Sequence, residues 1–300
     1  MIINARNLLN LTTAVTTIFN GAFAGYTPRW SNVAMYVPSA GTLSMDYTWL
    51  RQLKKMRKWI GDRQIDALAT SGYRIMNEPY ENTLAIPRPN LETDQYGVFN
   101  PLFADLGQTA AENPDDNLYG LMNAGFTTEC HDGQYFFDTD HTRLDADGAK
   151  KTWSNFLGGD GAPWFLMCTK KQLKAMIFQE RVKPRLVAMD DPSNPHVFMK
   201  NEFVHGVDCS QGFGYGLPQL IVASRKPLTA ANYSEARTAL STLLGDRDRP
   251  LGLMGDTLLV PGNYEEAGLR LVNSKAEAGG GDNPWVGTAN LIVEPLLAQA

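Results

Sequence analysis

Residues 249–274 read RPLGLMGDTLLVPGNYEEAGLRLVNS. Arg249-Pro250 opens a turn and Gly255-Asp256 closes it. Leu258, Leu259 and Val260 then form a short apolar strand, which Pro261-Gly262 ends. A helix pattern follows, with Ala267, Leu271 and Val272 on one face. A turn, a buried strand, a sharp stop and a docking helix make one compact unit. None of its residues is reactive, so its order serves structure.

Upstream, Thr229 caps a helix reaching Leu244, with Tyr233, Ala236, Leu240 and Leu243 on its buried face. Strand-like runs precede it at 164–168, 184–189, 196–199 and 219–223. Residues 125–170 are rich in turns: Asp132-Gly133 between Thr128 and Tyr135 is a hairpin signal, and 138–160 reads as a polar surface loop. Residues 94–124 read as helical, with Val98, Leu102, Phe103, Leu106 and Ala110 in register. Pro114 predicts a kink or break near Asn113, with Asp115 and Asp116 near the positive end of a second helix. Residues 64–88 change to short extended runs, an excursion with too little apolar content to stand without a partner surface. Residues 45–60 predict a helix with Trp49, Leu50, Leu53, Met56 and Ile60 as its stripe. Residues 4–24 predict an amphipathic helix carrying Leu8, Leu11, Val15, Ile18 and Phe19, broken at Gly21, Gly25 and Pro28. Towards the C-terminus, Gly279-Gly280-Gly281 is a hinge or loop and Leu291 to Val293 a final strand.

The 300 residues suffice for one large domain or two modest ones. Hydrophobic residues at 43% and charged residues at 20% provide for a core. A net charge of −5 argues against a dedicated nucleic-acid binder, though not against a protein that encloses nucleic acid without gripping it. Cys130, Cys168 and Cys209 form no C-x-x-C pair, which suits reduced thiols in a cytoplasm. The N-terminal residues do not form a signal peptide, and no stretch approaches the ~20 apolar residues of a membrane span.

Cys130, His131, Asp138, Asp140 and His141 are metal-ligand types close in sequence, but without a familiar ligand spacing. A polar hairpin whose side chains satisfy turn backbone groups is the preferred reading. GFGYG at 212–216 has nucleotide-loop glycines, Gly212, Gly214 and Gly216. It is followed by Leu217-Pro218 and a strand-like run rather than a helix, so close strand packing is expected instead. His205, Asp208, Cys209 and Ser210 make a nucleophile cluster only on paper, because no oxyanion site is evident. The six cations Arg51, Lys54, Lys55, Arg57, Lys58 and Arg63 give a local field. Carboxylates of a neighbouring subunit are the favoured partner, ahead of a solvated face and of DNA.

Several long segments together resemble the major head subunits of Mu-like bacteriophages. They are WIGDR at 59–63, GYRI at 72–75, DQYGVFNPLF at 94–103 and AGFTTECHDGQYFFDTDH at 124–141. KAMIFQERVKPRLVAMDDPSNPHVFMKNEFVHGVD at 174–208, the 249–274 unit and NPWVGTANLIVEPLL at 283–297 complete the set. Gly262 stands where relatives often have a second proline, and Gly216-Leu217-Pro218 replaces a more aromatic run.

The resemblance implies an α+β chain with the HK-ninety-seven-type phage capsid fold: N-terminal arm, extended β-hairpin loop, spine-helix peripheral domain and axial domain. The implied boundaries are 1–40 for the arm and 41–90 for the extended loop. The peripheral domain takes 91–185 and 275–300, and the axial domain mainly 186–274. The implied function is a structural, non-enzymatic head protein that self-assembles into hexamers and pentamers of an icosahedral shell. That shell encloses double-stranded DNA without sequence-specific contacts. Scaffolding, portal and decoration proteins are implied partners. No cofactor, metal or membrane is expected, and the place is the virion, after synthesis in the host bacterial cytoplasm. Subunit-interface candidates are the six cations above with Asp256, Glu265 and Glu266. The alternatives are an encapsulin-like compartment shell and, from another class, a metal-dependent hydrolase using Cys130, His131 and His141.

Overall fold

A computed structural model of the chain describes residues 5–50, 72–94, 97–276 and 281–297. Helix α1 (Ala5–Gly25) buries Val15 and Phe19, four apart, as an amphipathic stripe requires. It runs through Gly21, where a break was expected. One glycine costs about 1 kcal/mol in a helix, less than the packing of that stripe supplies. Strand β1 (Ala34–Pro38) follows, then β2 (Ser44–Tyr47). Residues 45–47 are therefore extended rather than the start of a helix. Met45 pairs with Ile75, and Arg74 donates two hydrogen bonds to Asp46, at 2.7 and 3.0 Å. The rest of the expected 45–60 helix, beyond Leu50, lies outside the described residues.

Strands β3 (Tyr73–Met76) and β4 (Glu78–Pro87) do not pair with each other. Strand β3 pairs with β2, and β4 finds the partner surface that its polar composition demanded elsewhere. The short helix α2 (Arg88–Thr93) leads to α3 (Asn100–Ala124). Helix α3 starts later than the periodicity suggested and leaves Val98 outside it, and Leu102 in its first turn is exposed. It continues through Pro114 as one element, with Phe103, Leu106, Leu118, Tyr119 and Met122 buried.

Residues 138–160, expected as a loop, contain the hairpin β5 (His141–Leu144) and β6 (Lys150–Trp153), then β7 (Phe156–Gly159). Asp145 closes the hairpin turn by accepting from the Asp147 and Ala149 amides, while Gly148 takes φ 84°. Strands β8 (Trp164–Met167) and β9 (Met176–Met189) precede α4 (Pro195–Lys200). The apolar run 196–199 is thus helical, not a strand. Asn194 accepts from the His196 amide as N-cap, and Pro195 occupies the first turn. The chain continues with β10 (Glu202–Tyr215), β11 (Ile221–Arg225), α5 (Ala230–Ser241), β12 (Thr257–Val260), α6 (Glu265–Val272) and β13 (Asn290–Val293).

Two sheets organise these elements. One has the order β1-β9-β10-β4, with β4 antiparallel to β10 from Glu202↔Pro87 to Gln211↔Glu78. Helices α1 and α3 cover it through apolar groups that include Phe103, Phe203 and Ile86. The other has the order β13-β12-β8-β11-β7, with β12 and β13 parallel and β8 antiparallel to both its neighbours. A large apolar core from Val33 to Leu297 joins the two.

The sheets cut the chain differently from the expected domain boundaries. The boundary at 186 falls inside β9, and 202–211 pairs with 78–87 under α3. Residues 156–167 and 290–293, expected with the spine helix, lie in the sheet that contains β12.

Candidate assembly surface

The 249–274 unit has the predicted order. All four residues of β12 are buried in the five-stranded sheet. Asp256 precedes it, and its carboxylate accepts from the Thr169 amide at 2.9 Å, the Thr169 hydroxyl at 2.6 Å and the Lys170 amide at 3.3 Å. Burial raises this acid's pKa, but the bonds from Thr169 more than offset that and hold it below the usual carboxylate range. Asp256 is therefore a half-buried anchor of the 168–170 turn and not the exposed charge expected from sequence.

Glu265 and Glu266 are exposed on the first turn of α6, where carboxylates favour the helix dipole. Glu266 also pairs with Arg270 one turn on, at 2.6 Å. Arg51, Lys54, Lys55, Arg57, Lys58 and Arg63 lie outside the described residues.

The expected close strand packing is present at Gly212 in β10 and at Gly216 just after it. A Cβ at Gly212 would lie 2.5 Å from the Met76 carbonyl, and one at Gly216 2.4 Å from that of Lys174. His205 and Asp208 point to opposite faces of the same strand. His205 stacks edge-to-face on Phe103, while Asp208 pairs with Arg185. Burial pushes the Cys209 thiol up to about 11. These residues form no nucleophile site.

Of the metal-type residues, the structure joins Cys130 and His141 with Asp132, a residue the sequence reading passed over as a turn former. Asp138 instead accepts from the Tyr135 and Thr139 amides, and Asp140 is exposed. Burial, with the Asp132 carboxylate beside it, pushes the Cys130 thiol well up. Burial also opposes ionisation of Asp132, but His141 holds that carboxyl well below its usual range.

Sequence reasoning also missed the knot that ties the arm to the rest. Asp115, fully buried in α3, accepts from the Trp30 amide at 2.6 Å, the Arg29 amide at 3.2 Å and the Tyr26 hydroxyl. Arg29 reaches from Asp115 to Glu294, whose carboxylate lies 2.9 Å away. Burial raises the pKa of Glu294. Burial and the Asp115 hydrogen bond together push Tyr26 up to about 12. The end of the arm, the long helix and the segment after β13 thus meet at one buried charge cluster. An Asp on a helix face that is otherwise apolar was its sole trace in sequence.

A two-sheet body with helix α1 strapped on and with exposed charge on α6 suits a building block. The profile of the Mu-like prophage major head subunit gpT family matches residues 8–297. The chain belongs to that family. It is 34% identical over 306 residues to the major capsid protein of Escherichia phage Mu, covering 99% of this chain and 100% of that one. It is 35% identical to the Mu-like prophage FluMu major head subunit of Haemophilus influenzae, covering 87% and 86%. Among solved structures, it is similar to the procapsid of bacteriophage JBD30 with a TM-score of 0.88 at 34% identity, covering 98% of this chain and 100% of that one. It is similar to the JBD30 capsid with a TM-score of 0.78 at 26% identity, covering 99% and 100%.

This Mu-like head subunit is a structural capsid protein with the HK-ninety-seven-type α+β fold, and not an enzyme. It is a component of the virion. The compartment-shell and hydrolase alternatives find no support in these likenesses. Among the described residues no helix is long and apolar enough to cross a membrane.

Proposed function

We propose that this chain forms hexamers and pentamers that close into an icosahedral head around double-stranded phage DNA. The end-to-end match to the head-subunit family carries this reading. Heterologous contacts that close make rings, and rings of one subunit type tile a shell. The net charge of −5 suits DNA that is confined rather than gripped. Synthesis belongs in the host bacterial cytoplasm, and scaffolding and portal proteins are the expected helpers. The JBD30 capsid also appears decorated with minor capsid protein trimers, so a decoration partner is a reasonable expectation here.

The four-stranded sheet with α1 and α3 is the peripheral domain in this reading, and the five-stranded sheet with α5 and α6 is the axial domain. Glu265, Glu266 and the cationic stretch 51–63 supply interface charge. The likeness to the JBD30 procapsid exceeds that to its capsid, 0.88 against 0.78.

Reversing Glu265→Lys and Glu266→Lys together tests the interface. Sedimentation of co-expressed subunit and scaffold is expected to shift from particles to free subunits. Particles in undiminished yield would remove these two residues from the interface.

A further inference from the structure

Hairpin 128–135 and strand β5 meet at three side chains that the head-protein function does not use. Cys130 Sγ lies 3.1 Å from Asp132 Oδ1, and His141 Nδ1 lies 2.8 Å from Asp132 Oδ2. One ligand atom from each residue falls within 4.8 Å of the other two. Bonds of about 2.0–2.3 Å around a tetrahedral cation set ligand atoms roughly 3.3–3.8 Å apart. The two Asp132 contacts use different carboxylate oxygens, so a shared cation requires the three side chains to close around it.

The histidine decides how to read the cluster. Its ring has no exposed surface and stacks on Trp153, with centroids 4.7 Å apart. Nε2 faces the Phe136 carbonyl at 3.3 Å, and a carbonyl only accepts. With its hydrogen on Nε2 the ring would present Nδ1 as a lone-pair donor, the arrangement of histidines that bind metals through Nδ1 and donate their other N–H to a backbone carbonyl. The Nδ1 lone pair then points at a carboxylate oxygen, a contact that needs a cation between the two. A proton would serve for that pair alone. The thiol on the far side of the same carboxylate adds a third donor, and a soft one.

We propose that Cys130, Asp132 and His141 bind one divalent cation of the zinc class. It would staple hairpin 128–135 to β5. The fourth position falls to water, which reaches the site along Asp132, whose side chain is 19% exposed. Binding releases the thiol proton, and the Nδ1 proton where present, to solvent, and nothing is oxidised or reduced. The bound cation reverses the local field that otherwise disfavours the thiolate. The site is a staple, because two of its three donors are sealed from substrate.

The test uses untagged full-length chain, stripped of metal and titrated with cobalt. The expected result is one equivalent bound, with a thiolate-to-cobalt charge-transfer band. Zinc should bleach that band and raise the unfolding temperature. The band should vanish in Cys130→Ser and persist in Cys209→Ser. No band in folded wild-type chain at saturating cobalt would overturn the proposal, and so would a band that survives Cys130→Ser. The wild-type titration decides even if Cys130→Ser fails to fold.

Discussion

Asp115 has no exposed surface in the middle of a helix, where a carboxylate is expensive to bury. Two backbone amides, a tyrosine hydroxyl and the Arg29 guanidinium offset that expense. Removing the acid strands those donors and leaves the half-exposed Arg29 with Glu294 alone. Asp115→Ala should therefore cost about 3 kcal/mol. Urea unfolding of the isolated subunit checks this, and a change under about 1 kcal/mol would mean the knot is ornamental. His205 presents the opposite case. It is fully buried against Phe103, and neither ring nitrogen meets a hydrogen-bond partner among the described residues. Burial lowers its pKa, against a smaller opposing pull from Asp190. The unfolded chain then binds the proton more readily, so His205 contributes stability above its unfolded pKa of about 6.5 and loses it as pH falls through the lower folded value. His205→Leu should flatten the acid limb of the stability curve below about pH 6.5 while changing little at pH 8. An unchanged acid limb would contradict this. Neither residue announced its role in sequence, since burial is what gives each its consequence.

At the scale of elements, legibility followed punctuation. The 249–274 unit was readable because Pro261-Gly262 and the flanking turns confine a run too short to be anything but a strand. Helix α5 was readable from Thr229, whose hydroxyl accepts from the Asn232 amide. Thr229→Ala should cost about 1 kcal/mol, seen as faster hydrogen exchange in residues 230–233. Residues 45–47 and 196–199 were misread in opposite directions. A helical period running on to residue 60 masked the cross-strand partner that decided the first, and the short run 196–199 carries no period of its own, so an Asn-Pro cap decided it. The α1–α3 contact was invisible, because it depends on a glycine. A Cβ at Gly107 would lie 2.4 Å from the Phe19 carbonyl, and backbone cannot step aside as a side chain can. Gly107→Ala should push α1 off α3 at a cost of about 1–3 kcal/mol, with exchange protection lost over residues 11–19. Intact protection there would mean the two helices tolerate separation.

At the scale of the whole molecule, the resemblance carried what periodicity could not. No pattern of apolar spacing implies a shell, whereas seven ordered segments spread along the chain did. The domain cut was less legible, because β8 and β13 join β12 from distant parts of the sequence. Residue order alone does not reveal such crossovers. The exposed apolar side chains Phe198 and Met199 on α4 and Val187 on β9 are what a subunit leaves for neighbours to cover.

Reconstruction by electron cryomicroscopy of shells assembled from this chain tests the central claim most directly. The account predicts closed shells of hexamers and pentamers, with the five-stranded sheet and α6 nearest the capsomer axes and the four-stranded sheet with α3 at the rim. Shells with these two sheets exchanged, or a subunit that stays monomeric beside its scaffold, would contradict it.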